Sequence, residues 1–223
     1  LPDFFWNWGE ESAENIQKWM NRAELHKPVI GGNLWLSKWK HGHVPSNGKD
    51  EEEFTQFLRG SEKVILFSLQ PLEKNEMIPG YLTEAIRKSP PGWTWLLRRH
   101  PFQKISDEEI LHLIGETKSK LEIRLSSTLP LYRILRHTHH HVTLWSSVCF
   151  EAAEFDVPTT IAHPFGAALY DSQIRNLIFS YANTADAILN LVLEGRPSRK
   201  SGYIVTDPVL AERAFEMIGL PLS

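Results

Sequence analysis

The chain has 223 residues, 42% hydrophobic and 23% charged, with 24 Lys plus Arg against 27 Asp plus Glu, a net charge of -3. That length suits one α/β domain, or a domain of about 140–160 residues with added segments, and the composition excludes a disordered or fibrous chain. Interspersed charges argue against a nucleic-acid-binding protein built on a basic face, and apolar runs such as Val64–Leu69 are too short to span a bilayer.

The single cysteine, Cys149, excludes an internal disulfide, fits a reducing cytoplasm, and reads as a core residue within Val148–Phe150. Residues Leu1 to Glu10 lack the pattern of a signal peptide. A segment as apolar as Phe4–Trp8 is expected to be covered by something N-terminal to it, so Leu1 is not expected to be the natural start.

In chain order, Phe4–Trp8 reads as a strand, Ser12–Glu24 as a helix and Pro28–Gly32 as a strand, while Leu34–Gly60 reads as a connection with an acidic run at Asp50–Glu53. From Lys63 onward strand-like and helix-like segments alternate. Strands are predicted at Lys63–Leu69, Trp93–Arg98, Leu121–Leu125, His141–Trp145, Val157–Ala162 and Leu177–Tyr181. Helices are predicted at Glu76–Lys88, from the capping box Ser106 to Glu109, at Pro130–Arg136 capped by Ser127 or Thr128, at Ser147–Phe155, near Ala167–Ile174, at Asp186–Glu194 capped by Asn183 or Thr184, and at Asp207–Ile218. Such alternation implies an α/β fold: a Rossmann-like parallel sheet with helices on both faces. The strands are continuous apolar runs, as expected for a sheet covered on both sides. Ligands then bind outside the carboxyl ends of the strands.

Five groups of residues in those loops carry candidate chemistry. Arg98-Arg99-His100-Pro101 brings two cations and an imidazole to a strand end, which suits a phosphate; a solvated basic turn is the alternative. Trp145-Ser146-Ser147 runs into a helix, so one hydroxyl caps it while the other and the free N–H groups face an anion; both serines are plain caps in the competing reading. Glu151, one turn in, is placed to accept from a ribose diol, or is an ordinary acidic residue of a first helical turn. Ser126, Ser127 and Thr128, in the loop Leu125–Leu131, are candidates to read a base edge, or simply a Ser-rich helix start. His137, His139, His140 and His141 invite zinc, but no second Cys or His cluster pairs with them, and a polar stretch before a buried strand fits better. Fingerprints for a dinucleotide, a P-loop or a nucleophile elbow are absent.

Taken together, Val64–Gln70, Leu97–Pro101, Pro130–Leu135 and Val142–Ala153 resemble the C-terminal, nucleotide-sugar-binding domain of bacterial glycosyltransferases with the two-Rossmann GT-B fold, capsule and lipopolysaccharide enzymes and sialyltransferases among them. His100-Pro101 and Ser146-Ser147 match that group's His-Pro and Ser-Ser motifs; Glu151-Ala152 followed by Val157-Pro158 matches a wider pattern, and Tyr170-Asp171, Ile174 and Thr184–Leu189 fit the domain's end. The resemblance covers roughly Lys63–Glu194; each motif is weak alone, and their order and spacing carry it.

The resemblance implies that His100, Ser146 and Ser147 contact donor phosphates and that Glu151 holds the ribose, with no metal or other cofactor. It implies a nucleotide sugar and a glycan or lipid-linked acceptor as partners, a cytoplasmic location with peripheral membrane association at most, and a base in an N-terminal domain. The sialyltransferase Asp/Glu-Asp/Glu-Gly base motif is absent, so CMP-, UDP-, GDP- and CDP-linked donors stay open. The expected organisation is residues 1–60 as the remnant of an N-terminal domain plus a connection, 61–196 as the nucleotide-sugar-binding domain, and 197–223 as a tail helix packing back toward the N-terminal side. Alternative readings are a sugar-nucleotide 2-epimerase, a non-catalytic nucleotide-sugar-binding module, and a zinc protein built on the histidines.

Overall fold

A computed structural model describes residues 3–19, 26–41, 48–196, 199 and 202–219. The chain divides into two compact units: Leu1–Pro45 together with Ser201–Ser223, and Ser46–Lys200.

In the first unit, β1 (Phe4–Asn7) and β2 (Lys27–Ile30) pair in parallel through α1 (Glu10–Trp19). The predicted stretch beyond Trp19 lies outside the described residues. Leu34–Gly60 was expected as a connection, but it contains α2 (Leu34–His41) and α3 (Lys49–Phe57), the latter in the second unit. Three-residue spacing buries Leu36 and Trp39 of α2, and Asn33 caps it, its Oδ1 accepting from the N–H of Leu36 at 2.9 Å. The helix Pro208–Met217 packs on β2 and α2. Trp6 packs at a tilt against Phe215, with ring centres 5.0 Å apart, and its indole donates to the carbonyl of Gly32 at 2.7 Å. Any side chain at Gly31 would strike the Trp6 ring.

The second unit continues with α3, β3 (Lys63–Ser68), α4 (Lys74–Met77), α5 (Gly80–Lys88), β4 (Trp93–Arg98), α6 (Asp107–Ile114), β5 (Lys120–Glu122), α7 (Arg124–Thr128), α8 (Leu131–Leu135), β6 (His140–Thr143), α9 (Val148–Glu154), β7 (Thr159–Ile161), α10 (Pro164–Leu169), α11 (Asp171–Arg175), β8 (Phe179–Tyr181) and α12 (Ala185–Glu194); α13 (Pro208–Met217) closes the first unit. The six strands are parallel, in the order β5-β4-β3-β6-β7-β8. The chain moves outward from β3 to β5, then returns to β6 on the other side of β3. The topological switch point is therefore the crevice between β3 and β6.

Right-handed crossovers on the two sides of that switch send helices to opposite faces. On one face Ile65, Phe67, Trp95, Leu97 and Val142 pack with Leu82, Ala85 and Ile86 of α5, Ile110 and Ile114 of α6, and Ile188 and Val192 of α12. On the other, α9 packs on β6 and β7 and α7 on β4. The fold is a Rossmann-like parallel sheet with helices on both faces.

Local signals set several boundaries. The capping box of Ser106 and Glu109 opens α6, and Thr184 caps α12, accepting from the N–H of Ala187 at 3.4 Å. The predicted helix Glu76–Lys88 breaks into α4 and α5 at Ile78-Pro79, because proline lacks the N–H and clashes with the preceding turn. The expected third strand, Leu121–Leu125, ends at Glu122, whose carboxylate accepts from the N–H groups of Leu125 and Ser126 at 2.6 Å each and so starts α7. Residues Ser126–Thr128 are therefore helical rather than in a loop. Pro130, not Ser127 or Thr128, occupies the N-cap of α8.

The acidic run of Asp50–Glu53 opens α3, where negative charge complements the helix dipole. It is held by distant partners: Glu51 pairs with Arg133 at 2.9 Å and Glu53 with Arg124 at 2.6 Å, while Phe54 packs edge-on against His137. The sheet unit thus begins before α3 rather than at residue 61.

Candidate functional site

The loops leaving β4, β5 and β6 gather most of the residues singled out by the sequence. Strand alternation turns Arg98 and Arg99 to opposite sides. The Arg98 guanidinium donates to the carbonyls of Ser126 and Leu129, the latter at 2.9 Å. Burial lowers its pKa, and the neighbouring charge of Glu151 raises it again. Glu151, half-buried in α9, is pushed up by burial and pulled back by the hydroxyl of Tyr132 and the charge of Arg98. Tyr132 donates to its Oε1 at 3.0 Å. Three groups from β4, α8 and α9 thereby interact, Tyr132 by a bond to Glu151 and Arg98 through its charge.

Ser126 is fully buried, and its hydroxyl is directed at the carbonyls of Leu97, Glu122 and Ile123. It ties the ends of β4 and β5 together rather than facing a ligand. Ser127 accepts from the N–H of Arg99 at 3.1 Å, and Thr128 donates to the carbonyl of Arg124 at 3.0 Å. Arg99 turns toward α6, where it pairs with Asp107 at 3.2 Å and donates to the carbonyl of Ile105 at 3.1 Å. The two arginines therefore brace the rim instead of standing free for a phosphate.

Pro101 turns the chain after β4, and the Nδ1 of His100 accepts from the N–H of Phe102 at 3.2 Å. A neutral ring bonded in this way carries its proton on Nε2, which becomes a donor. At the end of β6, the hydroxyl of Ser146 accepts from the N–H of Val148 at 3.4 Å, and the N–H of Ser146 donates to Thr143 at 3.0 Å. Ser147 is exposed at the N-cap of α9 with no side-chain cap bond. One serine caps and the other faces outward. His100 and Ser147 follow β4 and β6, which flank β3; two strand spacings separate those strand ends, about 10 Å.

Sequence reasoning missed Gln70, Tyr132 and His163 on this rim, and gave no role to Trp145 beside the two serines. Gln70 directly follows β3 at the switch point; it is 6% exposed, and its amide nitrogen has no hydrogen-bond partner. Tyr132 reaches Glu151 with its ring stacked on Phe155 at the end of α9, a neighbour 23 residues on in the chain. His163-Pro164 after β7 repeats the dipeptide that follows β4, and its Nδ1 likewise accepts from the N–H two residues on, Phe165, at 3.1 Å. Trp145 precedes the two serines and packs edge-on against His163 at 5.0 Å between ring centres. The repeated His-Pro and the Gln70-Pro71 pair were the available sequence signals.

The histidine cluster is pulled apart by the sheet. His141 bonds Ser68 at 3.0 Å and Thr159 at 3.1 Å, His140 on the other face bonds Thr160 at 2.8 Å, His139 accepts from the N–H of Val64 at 3.0 Å, and His137 packs on Phe54. Among the described residues no group of three or more His, Cys, Asp or Glu could hold a metal ion. Cys149 is fully buried, and burial drives its thiol upward, so it is no nucleophile at neutral pH. Among the described residues no helix is long and apolar enough to cross a membrane.

No family model and no curated protein matches the chain. Solved structures match its fold. A UDP-GlcNAc 2-epimerase from Neisseria meningitidis, bound to UDP-GlcNAc, superposes with a TM-score of 0.64 at 14% identity over 97% of this chain and 60% of its own. A second UDP-N-acetylglucosamine 2-epimerase gives 0.61 at 14% identity, over 99% and 60%. The wall teichoic acid polymerase TagF gives 0.54 at 13%, over 96% and 52%. The chain spans about 60% of the length of the first structures it matches. At these identities the likeness establishes a GT-B-type, Rossmann-like fold.

Proposed function

We propose that this chain is the donor-binding part of a glycosyltransferase that moves a sugar from a nucleotide-activated donor to a cell-surface glycan or similar acceptor. The observation that carries the reading is the convergence of Glu151, Tyr132 and Arg98 beside the Ser146-Ser147 start of α9, on the carboxyl rim of a parallel sheet. In this reading Glu151 accepts from a ribose diol, Tyr132 orients it, and the Tyr132 bond and the charge of Arg98 favour its ionised form. The exposed hydroxyl of Ser147 faces the donor phosphate, and the Nε2–H of His100 donates to it across the end of β3. Donors aimed at the departing phosphate strengthen as its negative charge grows, and each is worth about 2.7–4 kcal/mol of the barrier.

The donor-bound forms of proteins with this fold support a nucleotide sugar as ligand. The catalytic base and the acceptor site are assigned to a second domain, in keeping with the part of the matched structures that this chain does not span. No step in the scheme calls for a metal. Thermal-shift and calorimetric titration with CMP, UDP, GDP and CDP tests the reading: one of them stabilises the protein, and failure of all four removes it. With the complete protein, an epimerised sugar released without acceptor assigns a 2-epimerase instead, and binding without turnover assigns a non-catalytic module.

A further inference from the structure

A second concavity lies on the same rim, away from the Arg98–Glu151 cluster. A cavity of about 460 Å³ opens between the loops after β3, β6, β7 and β8, with Leu72, Glu76, Tyr81, Trp145, His163 and Asn183 in its lining. That volume falls within the roughly 300–1,000 Å³ typical of small-molecule sites.

Its walls are rigid for identifiable reasons. The hydroxyl of Tyr81 donates to the carbonyl of Ala162, and burial, then the nearby Tyr181, pushes the phenol up to about 12, so it stays protonated. Trp145 packs edge-on against both His163 and Phe165, at 5.0 and 5.3 Å between ring centres. Gly166 seats α10 hard against the end of β6, since a Cβ there would run into the carbonyl of Leu144. His163 caps α10 through Nδ1, which leaves Nε2–H as its donor toward a ligand.

The chemistry of the lining is that of a hydroxylated ring. Trp145 offers an aromatic surface to C–H groups, Glu76 accepts from hydroxyls, Asn183 both donates and accepts, and His163 donates. Among the lining residues there is a carboxylate but no Lys or Arg, so a ligand bearing its own carboxylate meets repulsion without compensation. Trp145 is bonded to Ser146. A phosphate held at Ser146-Ser147 therefore lies next in the chain to a residue of the cavity wall.

We infer that the cavity is the subsite for the transferred sugar, shaped for a neutral pyranose and against an acidic one. The inference rests on the donor-binding reading above. The test titrates the full chain with CMP, UDP, GDP and CDP, and then with UDP-N-acetylglucosamine, UDP-glucose, GDP-mannose, CDP-glucose and CMP-N-acetylneuraminate. Trp145→Ala and His163→Ala each raise the ratio of the Kd for the neutral nucleotide sugar to that for the matching nucleotide by roughly five- to tenfold. Trp145→Phe, which keeps an aromatic wall and guards against a packing defect, raises it less. Exposed Glu76 gives a variant with little risk to folding: Glu76→Gln narrows the preference for neutral over acidic sugars.

Equal losses for nucleotide and nucleotide sugar in the Trp145 and His163 variants, or no change in either, overturn the subsite. So does tighter binding of CMP-N-acetylneuraminate than of the neutral donors. If no nucleotide binds in any form, the donor-binding reading itself falls, an outcome distinct from a subsite failure.

Discussion

Tyr132 and Glu151, 19 residues apart in the chain, meet phenol to carboxylate at 3.0 Å at the carboxyl rim of the sheet. The contact holds a half-buried carboxylate that burial alone would push toward its neutral form. Removing the phenol with Tyr132→Phe raises the Glu151 pKa further and costs about 0.5–1.5 kcal/mol in urea unfolding. Carboxyl resonances of Glu151 that titrate unchanged in the variant would show that the bond does not tune it.

The ribose role of Glu151 is separable from its structural one. Glu151→Gln is expected to weaken binding of the ribonucleotide while leaving that of its 2′,3′-dideoxy analogue near the wild-type value. Equal losses for the two ligands reject the role.

His100 is tested through its free nitrogen. His100→Ala is expected to weaken nucleotide binding by about 1.5–3 kcal/mol, the range for a hydrogen bond to a charged group. Unchanged calorimetric affinity would take His100 out of the site.

The buried imidazoles make the sheet acid-sensitive. Burial pushes His140 down to about 4 and His141 down to about 3, from an ordinary 6.5. As pH falls below 6.5 the unfolded chain takes up protons that the folded chain refuses. Stability is therefore full above pH 6.5 and declines toward pH 4, by up to about 1.4 kcal/mol per pH unit for each ring. Urea midpoints between pH 6.5 and 5 should fall, and His140→Leu, at a ring whose Nδ1 has no partner, should reduce the slope. A slope the same in wild type and variant contradicts this account.

The ion pairs of α3 differ in burial and should differ in energy. Glu51 and Arg133 are 17% and 11% exposed, whereas Glu53 and Arg124 are 59% and 50% exposed. Glu51→Ala takes a carboxylate away from a largely buried guanidinium and is expected to cost about 3 kcal/mol. Glu53→Ala should cost only about 0.2–1 kcal/mol. Comparable losses in chemical denaturation would refute the distinction.

Much of the fold was legible because its signals act over a few residues. Trp93–Arg98 is a continuous apolar run and forms β4 with those bounds, Ser106 and Glu109 close their capping box within one turn, and Pro208 opens α13. Alternation of such segments was enough for the parallel Rossmann-like class. The candidate rim was legible for a related reason: in a parallel sheet every loop that follows a strand emerges on the same side, so Arg98 to Pro101 and Ser146-Ser147 share an edge whatever the strand order.

Tertiary structure alone decided the rest. Placing β6 beside β3 brings His141 to Ser68 across 73 positions of sequence, and no local pattern encodes that neighbour. The acidic run of α3 read as part of a connection because its partners, Arg124 and Arg133, lie more than 70 residues away. Ser126 read as a ligand contact because a hydroxyl near a strand end looks alike whether it faces solvent or the carbonyls beneath it. Propensity and capping are properties of neighbouring residues, while burial and long-range pairing depend on which surfaces the folded sheet brings together.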